Sequence, residues 1–251
     1  MADRIWTAAL CVIGDEILSG RTPDKNIAQV GSWLNLQGIR LKEVRVVADD
    51  MAAIGAAVTA LAGSHDYLFT TGGIGPTHDD ITVDAIAAAL GLPVGIHPQA
   101  RTMLEHHYAD RGGVSEARLR MARTPEGASL IVDENSGAPG IRIGNIFVLA
   151  GVPHIAAAML DSLSGKLEGG RPLVSATIGC WVQESDVADL LAEAERTHEG
   201  CQIGSYPFFR DGRTGANFVI RSVDQDRLDA CALDVAAALV ARGYRPVAGG
   251  I

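Results

Sequence analysis

Between Leu68 and Gly91 the chain reads "LFTTGGIGPTHDDITVDAIAAALG", with Gly72, Gly73 and Gly75 set ahead of Asp79-Asp80 and an alanine-rich stretch. A loop that only joined a strand to a helix would need about two to six residues of plain turn chemistry. Glycines this close together let several main-chain N–H groups converge on one spot, and a helix start beside them adds partial positive charge. The pattern therefore suits a bound anion such as a phosphate, with Thr71 and Thr77 flanking it. It is neither standard nucleotide loop. A Walker A loop needs Lys and Ser/Thr after its last glycine, where Pro76 and Thr77 stand, and a dinucleotide fingerprint would carry its third glycine at His78. A plainer account is equally open for two of these residues: Thr77 caps the following helix and Asp80 completes a capping box.

Carboxylates recur at corresponding places. Asp15-Glu16 follow the first expected strand and Asp49-Asp50 the second, so three strand ends would deliver acids to one rim of a sheet. Acids beside a phosphate cradle need a cation in order to coexist with an anion. Hard divalent ions (Mg, Mn, Co or Ni) take carboxylate oxygens and share their other positions with waters and substrate phosphates. Asp80, Asp49 and Glu16 are the candidate metal ligands, although each pair taken alone also fits a solvated loop or a cap. Gly14, Ser19, Arg21, Thr22 and Asn26 lie where they could meet a ligand, with Asn26 equally suited to be an N-cap. His106, His107 and His154 lack any recognisable partner in the sequence and read as surface or capping residues. "ENSGAPG" (Glu134 to Gly140, with Gly137 and Pro139) and "LAGVPH" (with Gly151) are turn-rich, lining the same crevice or only turning the chain. "IGSYPFFRDGRTGANF" reads as a hairpin with exposed aromatics, Arg210 and Arg213 beside them.

The elements that must position these residues alternate. Thr7 to Gly14, Ile39 to Val47 and Tyr67 to Thr70 read as strands, and Asn26 to Gly38, Met51 to Ala62 and Asp79 to Gly91 as helices. That rhythm predicts a parallel sheet built from βαβ units. A helical, charged insertion is expected from Pro98 to Met121, then strands at Ser129 to Val132 and Ile141 to Ala150, and a helix from Pro153 to Leu167. The polar "GKLEGGRP" sets a domain boundary, giving residues 1–168 and 169–251. Beyond it a β-α-β-β-α module is expected: a strand at Leu173 to Gly179, a helix at Glu184 to Thr197, strands at Cys201 to Tyr206 and Ala216 to Ser222, and a final helix carrying Leu228, Cys231, Val235 and Leu239.

Composition agrees with an α/β protein. Of 251 residues, 47% are hydrophobic but only 5% aromatic, so the core must come mainly from Ala, Val, Ile and Leu. A net charge of −9 opposes broad binding to nucleic acid or an anionic membrane, yet leaves room for one phosphorylated small molecule. Cys11, Cys180, Cys201 and Cys231 form no CxxC pair or zinc spacing, which fits free thiols in a reducing cytoplasm. No run reaches about 18 apolar residues, so no membrane helix is expected, and the apolar start reads as a first strand rather than a leader.

Taken in order, "GDEILSGRTPDKN", "VADDMAAI", "TTGGIGPTHDD", "NSGAPG" and "LAGVP" resemble the motifs of the molybdopterin-binding (MoaB/Mog-like) fold family. The likeness is strongest to the amino-terminal part of the competence/damage-inducible protein CinA and to the molybdopterin-binding-like domain of FAD synthases. The resemblance implies a three-layer αβα domain with a mostly parallel sheet, followed by a small α+β, KH-like domain in a homo-oligomer. It places Asp49 and Asp80 at the family's acidic active-site positions and Gly72, Gly73 and Gly75 at its phosphate loop. The activity it implies is metal-dependent hydrolysis of a nucleotide pyrophosphate of the ADP-ribose or FAD type. A molybdopterin adenylyltransferase and a non-catalytic pterin- or nucleotide-binding module remain as alternatives. With a net charge of −9, RNA binding is not inferred from the shape of this second module. The amidohydrolase domain that ends full-length CinA proteins is expected to be absent, and its activity is not carried over.

Overall fold

The computed structural model describes residues 4–132 and 137–251. Asp133 to Ser136, and with them Glu134 and Asn135 of the turn-rich segment, lie outside the described residues. The chain divides into two compact units, Met1–Gly170 and Arg171–Ile251.

In chain order the first unit runs β1 (Trp6–Ile13), α1 (Asp15–Leu18), α2 (Asn26–Leu36), β2 (Ile39–Val47), α3 (Met51–Ser64), β3 (Tyr67–Thr71), α4 (Thr82–Leu90), β4 (Val94–Ile96), α5 (Pro98–His107), α6 (Glu116–Leu119), β5 (Arg123–Pro125), β6 (Ser129–Ile131), β7 (Gly140–Ile143), β8 (Ile146–Leu149) and α7 (Pro153–Ser162). Six of its strands form one sheet in the order β2-β1-β3-β8-β7-β6. The first four run parallel, β7 runs antiparallel to β8, and β6 antiparallel to β7. Residues of β1 alternate between two cores. Ala8, Leu10 and Val12 pack with Val30, Trp33 and Leu34 of α2 and Met159 and Leu160 of α7. Ala9, Cys11 and Ile13 pack with Ile54, Val58 and Leu61 of α3 and Ile86 of α4. A strand buried on both faces is apolar throughout, as β1 is from Ala8 to Ile13. The result is the expected three-layer αβα domain.

Several boundaries move. The expected strand Ile141 to Ala150 is a hairpin, because Gly144 turns the chain at φ 58° and Ile141 pairs back onto Val148. The insertion yields α5 and α6, after which β5 pairs antiparallel with β4, a ribbon with too few residues to show a period. α4 starts at Thr82 rather than Asp79, since Thr77 to Asp80 is occupied by its own turn.

The second unit comprises β9 (Val174–Cys180), α8 (Ala188–Thr197), β10 (Gln202–Arg210), β11 (Arg213–Ser222), α9 (Gln225–Ala241) and β12 (Val247–Ala248). Its antiparallel sheet has the order β10-β11-β9-β12, with β12 absent from the sequence expectation. β10 and β11 extend further than expected because Asp211 (φ 52°) and Gly212 (φ 72°) close a two-residue turn of the twist that hairpins favour. α8 is shorter than expected, since Glu184–Asp186 forms a separate 3-10 turn. Phe218, Ile220, Leu228, Val235 and Leu239 sit in a core belonging to this unit.

Candidate functional site

Because β1, β2, β3 and β8 are parallel, their carboxyl ends share one edge of the sheet, where ligands of open α/β folds sit. A cavity of about 680 Å³ opens there, lined among others by Gly14, Glu16, Thr22, Asp49, the run Gly72 to Pro76, Asp79, Asp80 and Gly151. The volume lies within the range of small-molecule sites, roughly 300–1,000 Å³.

The glycine loop is shaped by close approaches. Gly72 has φ 101°, and a Cβ on it would lie 2.1 Å from the Ile13 carbonyl oxygen; at Gly73 (φ 66°) a Cβ would lie 2.2 Å from Thr82 Oγ1. Only glycine fits either place. The buried Thr82 braces the loop, its hydroxyl donating to Gly72 O (2.9 Å) and its N–H to Gly73 O (3.0 Å). The first N–H of α4 is therefore spent on the loop, and Asp84 in the first turn is paired with Arg123. The run Gly72 to Pro76 lines the cavity.

Asp80 accepts hydrogen bonds from the Thr77 N–H (2.8 Å) and the Thr77 hydroxyl, while Arg120 donates to its carbonyl oxygen (3.3 Å). Thr77 and Asp80 thus form a turn ahead of the helix rather than a capping box, and Thr77 itself is exposed and outside the cavity lining. Asp49 accepts from the Asp15 N–H (3.0 Å). Burial raises the Asp49 carboxyl above its ordinary range; that N–H opposes the shift, and the charges of Asp15, Glu16 and Asp79 add to it. Asp79 is held below the ordinary range by hydrogen bonding from Thr77 and from its own amide, with His78 adding attraction.

Other expected site residues take different places. Asp50 is the N-cap of α3, accepting from Ala53 N–H at 2.8 Å. Asp15 and Ser19 are exposed outside the cavity lining, and the Ser19 hydroxyl donates to Glu16 O at 3.3 Å. Asn26 is not an N-cap. It is the first residue of α2, and its Nδ2 donates to Gly151 O at 2.9 Å, while Asp24 accepts from Ile27 N–H at 2.7 Å. Asn26 and Thr71 line a neighbouring hollow of about 320 Å³ that shares Glu16, Thr22, Gly72 and Gly151 with the main cavity. Asn26 Oδ1 and Thr71 Oγ1 are buried there without a hydrogen-bond partner. Pro139 lies in a narrow recess behind the loop with Arg120, whereas Gly137 lines the main cavity.

His107, His154, Tyr108 and Met121 also line the cavity, contrary to the surface role that the sequence suggests for the two histidines. His106 is exposed. Nothing local marks His107, because α5 and the chain after it carry it to the sheet edge. Cys11 is close by in sequence but buried in the sheet, and burial pushes its thiol up to about 11, which removes it as a nucleophile at neutral pH.

Among the described residues no three His, Cys, Asp or Glu side chains gather closely enough to hold a metal ion unaided. The expected trio Asp80, Asp49 and Glu16 is therefore not a ready-made cage, although all three line one cavity. Such a donor set fits a hard ion held by one or two carboxylates and completed by a ligand's phosphate oxygens and water, as Mg²⁺ commonly is.

A glycine-rich loop and acids thus meet around one cavity at the carboxyl edge of a mostly parallel sheet, in an α/β protein. Residues 9–168 match the family described as probable molybdopterin binding domain, and residues 172–247 match the FAD synthase middle domain. The chain belongs to the molybdopterin-binding-domain family. It is 35% identical over 215 residues to a protein of Aeropyrum pernix, covering 81% of this chain and 79% of that one. Similarity at 30% over 249 residues extends to a probable FAD synthase of Caenorhabditis elegans, covering 89% of this chain and 48% of that one. A CinA-like protein of Desulfosudis oleivorans is 34% identical, covering 68% of this chain and 43% of its own. The chain thus spans less than half of these last two relatives. The crystal structure of the protein CinA from Thermoplasma acidophilum matches with TM-score 0.60 and 31% identity, covering 64% of this chain and 98% of that one. No helix among the described residues is long and apolar enough to cross a membrane.

Proposed function

We propose that the chain hydrolyses the diphosphate of a nucleotide of the ADP-ribose or FAD type with the help of a divalent cation. The observation that carries this reading is that Asp49, Asp80 and Glu16 line the same cavity as the Gly72 to Gly75 loop. The loop's main chain receives phosphoryl oxygens and stabilises charge that builds on them. Asp80, held by Thr77, and Asp49, reached from a different strand end, place the cation. When bound, that ion neutralises phosphate charge and makes water a better nucleophile. The acids surrounding Asp49 favour a cation, because each already raises the cost of its neighbour's charge.

Incubation with ADP-ribose, FAD, NAD and ATP, each with Mg²⁺, Mn²⁺, Co²⁺ or Ni²⁺, should release AMP from at least one diphosphate. Asp80→Asn should abolish turnover with an unchanged circular dichroism spectrum, since an amide oxygen still accepts from Thr77. A fully active variant would overturn the assignment. The match to a molybdopterin-binding domain supports a second reading, adenylyl transfer to molybdopterin. An adenylated pterin formed from molybdopterin, ATP and Mg²⁺ would select it, and tight binding without product under either assay would select a binding module.

A further inference from the structure

We propose that His107 is a ligand-binding residue of this cavity, donating a hydrogen bond from Nδ1–H to an oxygen of the bound nucleotide. The proposal rests on the nucleotide reading above.

Among the described residues, the charged side chains lining the cavity are all acidic: Glu16, Asp49, Asp79 and Asp80. Beside the loop amides and a cation, side-chain donors would help an anionic ligand among them, and among the described lining residues these are the hydroxyls of Thr22 and Tyr108 and the imidazoles of His107 and His154. His107 is the one whose setting is constructed. Its Nε2 meets the Arg111 guanidinium at 2.9 Å. Arginine stays protonated and can only donate, so Nε2 accepts and the ring proton lies on Nδ1. The ring packs edge-to-face on Tyr108, centroids 4.8 Å apart at 82°. The Arg118 guanidinium covers Tyr108 at 4.0 Å and is itself tied to the carbonyls of Arg111 (2.9 Å) and Gly113 (2.5 Å). From the other direction Gly137 lies so close that a Cβ there would sit 2.4 Å from the imidazole ring. The glycine of the "NSGAPG" motif thereby acquires a physical reason: it leaves room for this histidine. A half-buried imidazole with one tautomer selected, a cation-capped aromatic behind it and a glycine cleared for it is oriented before any ligand arrives, which lowers the ordering cost of binding.

The experiment is calorimetric titration of the full chain with ADP-ribose, supplied as its non-hydrolysable α,β-methylene analogue, and with ADP in the presence of Mg²⁺, for wild type, His107→Leu, His107→Asn and Gly137→Ala, with urea unfolding alongside. Leu preserves apolar packing without a donor, whereas the Asn amide nitrogen falls near the place of Nδ1. His107→Leu should weaken ADP-ribose by about 10-fold or more, the size of one hydrogen bond to a charged group. His107→Asn should recover most of the affinity, and Gly137→Ala should behave like His107→Leu by displacing the ring. Equal affinity in wild type and His107→Leu, or equal losses in the Leu and Asn variants, overturns the proposal and leaves the nucleotide reading standing. If wild type binds neither ligand, both fall together.

Discussion

Asp49 and Asp50 are neighbours of one chemical kind with opposite duties, as the direction of a single Cα–Cβ bond decides. Asp49 faces the cavity among other acids, and burial raises its carboxyl. A carboxyl whose native value exceeds its unfolded value opposes folding once it ionises. The penalty is absent where both states are protonated, grows as pH climbs through the ordinary value, and is complete above the raised one. Asp49→Asn, which keeps an acceptor for the Asp15 N–H, should therefore match wild type near about pH 3 and melt higher at neutral pH, by no more than about 3 °C. Thermal scans in chelator across that range would check it, and a lower Tm at pH 7 would contradict the electrostatic account. Gly72 gives the opposite kind of test. With a Cβ 2.1 Å from a main-chain oxygen, Gly72→Ala should cost more than about 2 kcal/mol by urea unfolding, whatever ligand is present.

At the scale of elements, the site is the shared carboxyl edge of four parallel strands, each ending in a loop that turns before its helix. Asp50 belongs to this scale: as N-cap of α3 it should lose about 1 kcal/mol of stability in Asp50→Ala, while ADP-ribose affinity stays the same. Reduced affinity with unchanged stability would return it to the list of ligand contacts. The long alternating elements are readable from sequence because β1 is a continuous apolar run, while α2 and α3 bury Val30, Trp33 and Leu34, and Ile54, Val58 and Leu61, at helical spacing. The hairpin of β7 and β8 is not, since one apolar run from Ile141 to Ala150 fits one strand as well as two and only the Gly144 turn separates them. The Thr77–Asp80 turn was hidden for a related reason. Thr-x-x-Asp is a capping signal wherever a helix follows at once, and this helix starts two residues after Asp80.

Over the whole molecule, each unit carries its own core, and mutation of one core should leave the other's chemistry alone. Phe218, fully buried in the second unit, should cost about 3–5 kcal/mol as Phe218→Ala, with hydrogen-exchange protection lost in β9, β11 and α9 while the first unit keeps its ADP-ribose affinity. Loss of protection in β1 and β3 as well would mean that the two cores unfold together. The amino-acid sequence by itself determined the layered α/β class, the glycine loop and the acids at strand ends, because periodicity, turn residues and loop composition are local properties. Which of those acids meet in one cavity was decided only by the tertiary structure. So were the release of Asp50, Ser19 and Asp15 from it and the arrival of His107 from a distant insertion. Those outcomes depend on strand order and on where a long insertion folds back, and contacts between residues far apart in the chain leave no period or spacing to read.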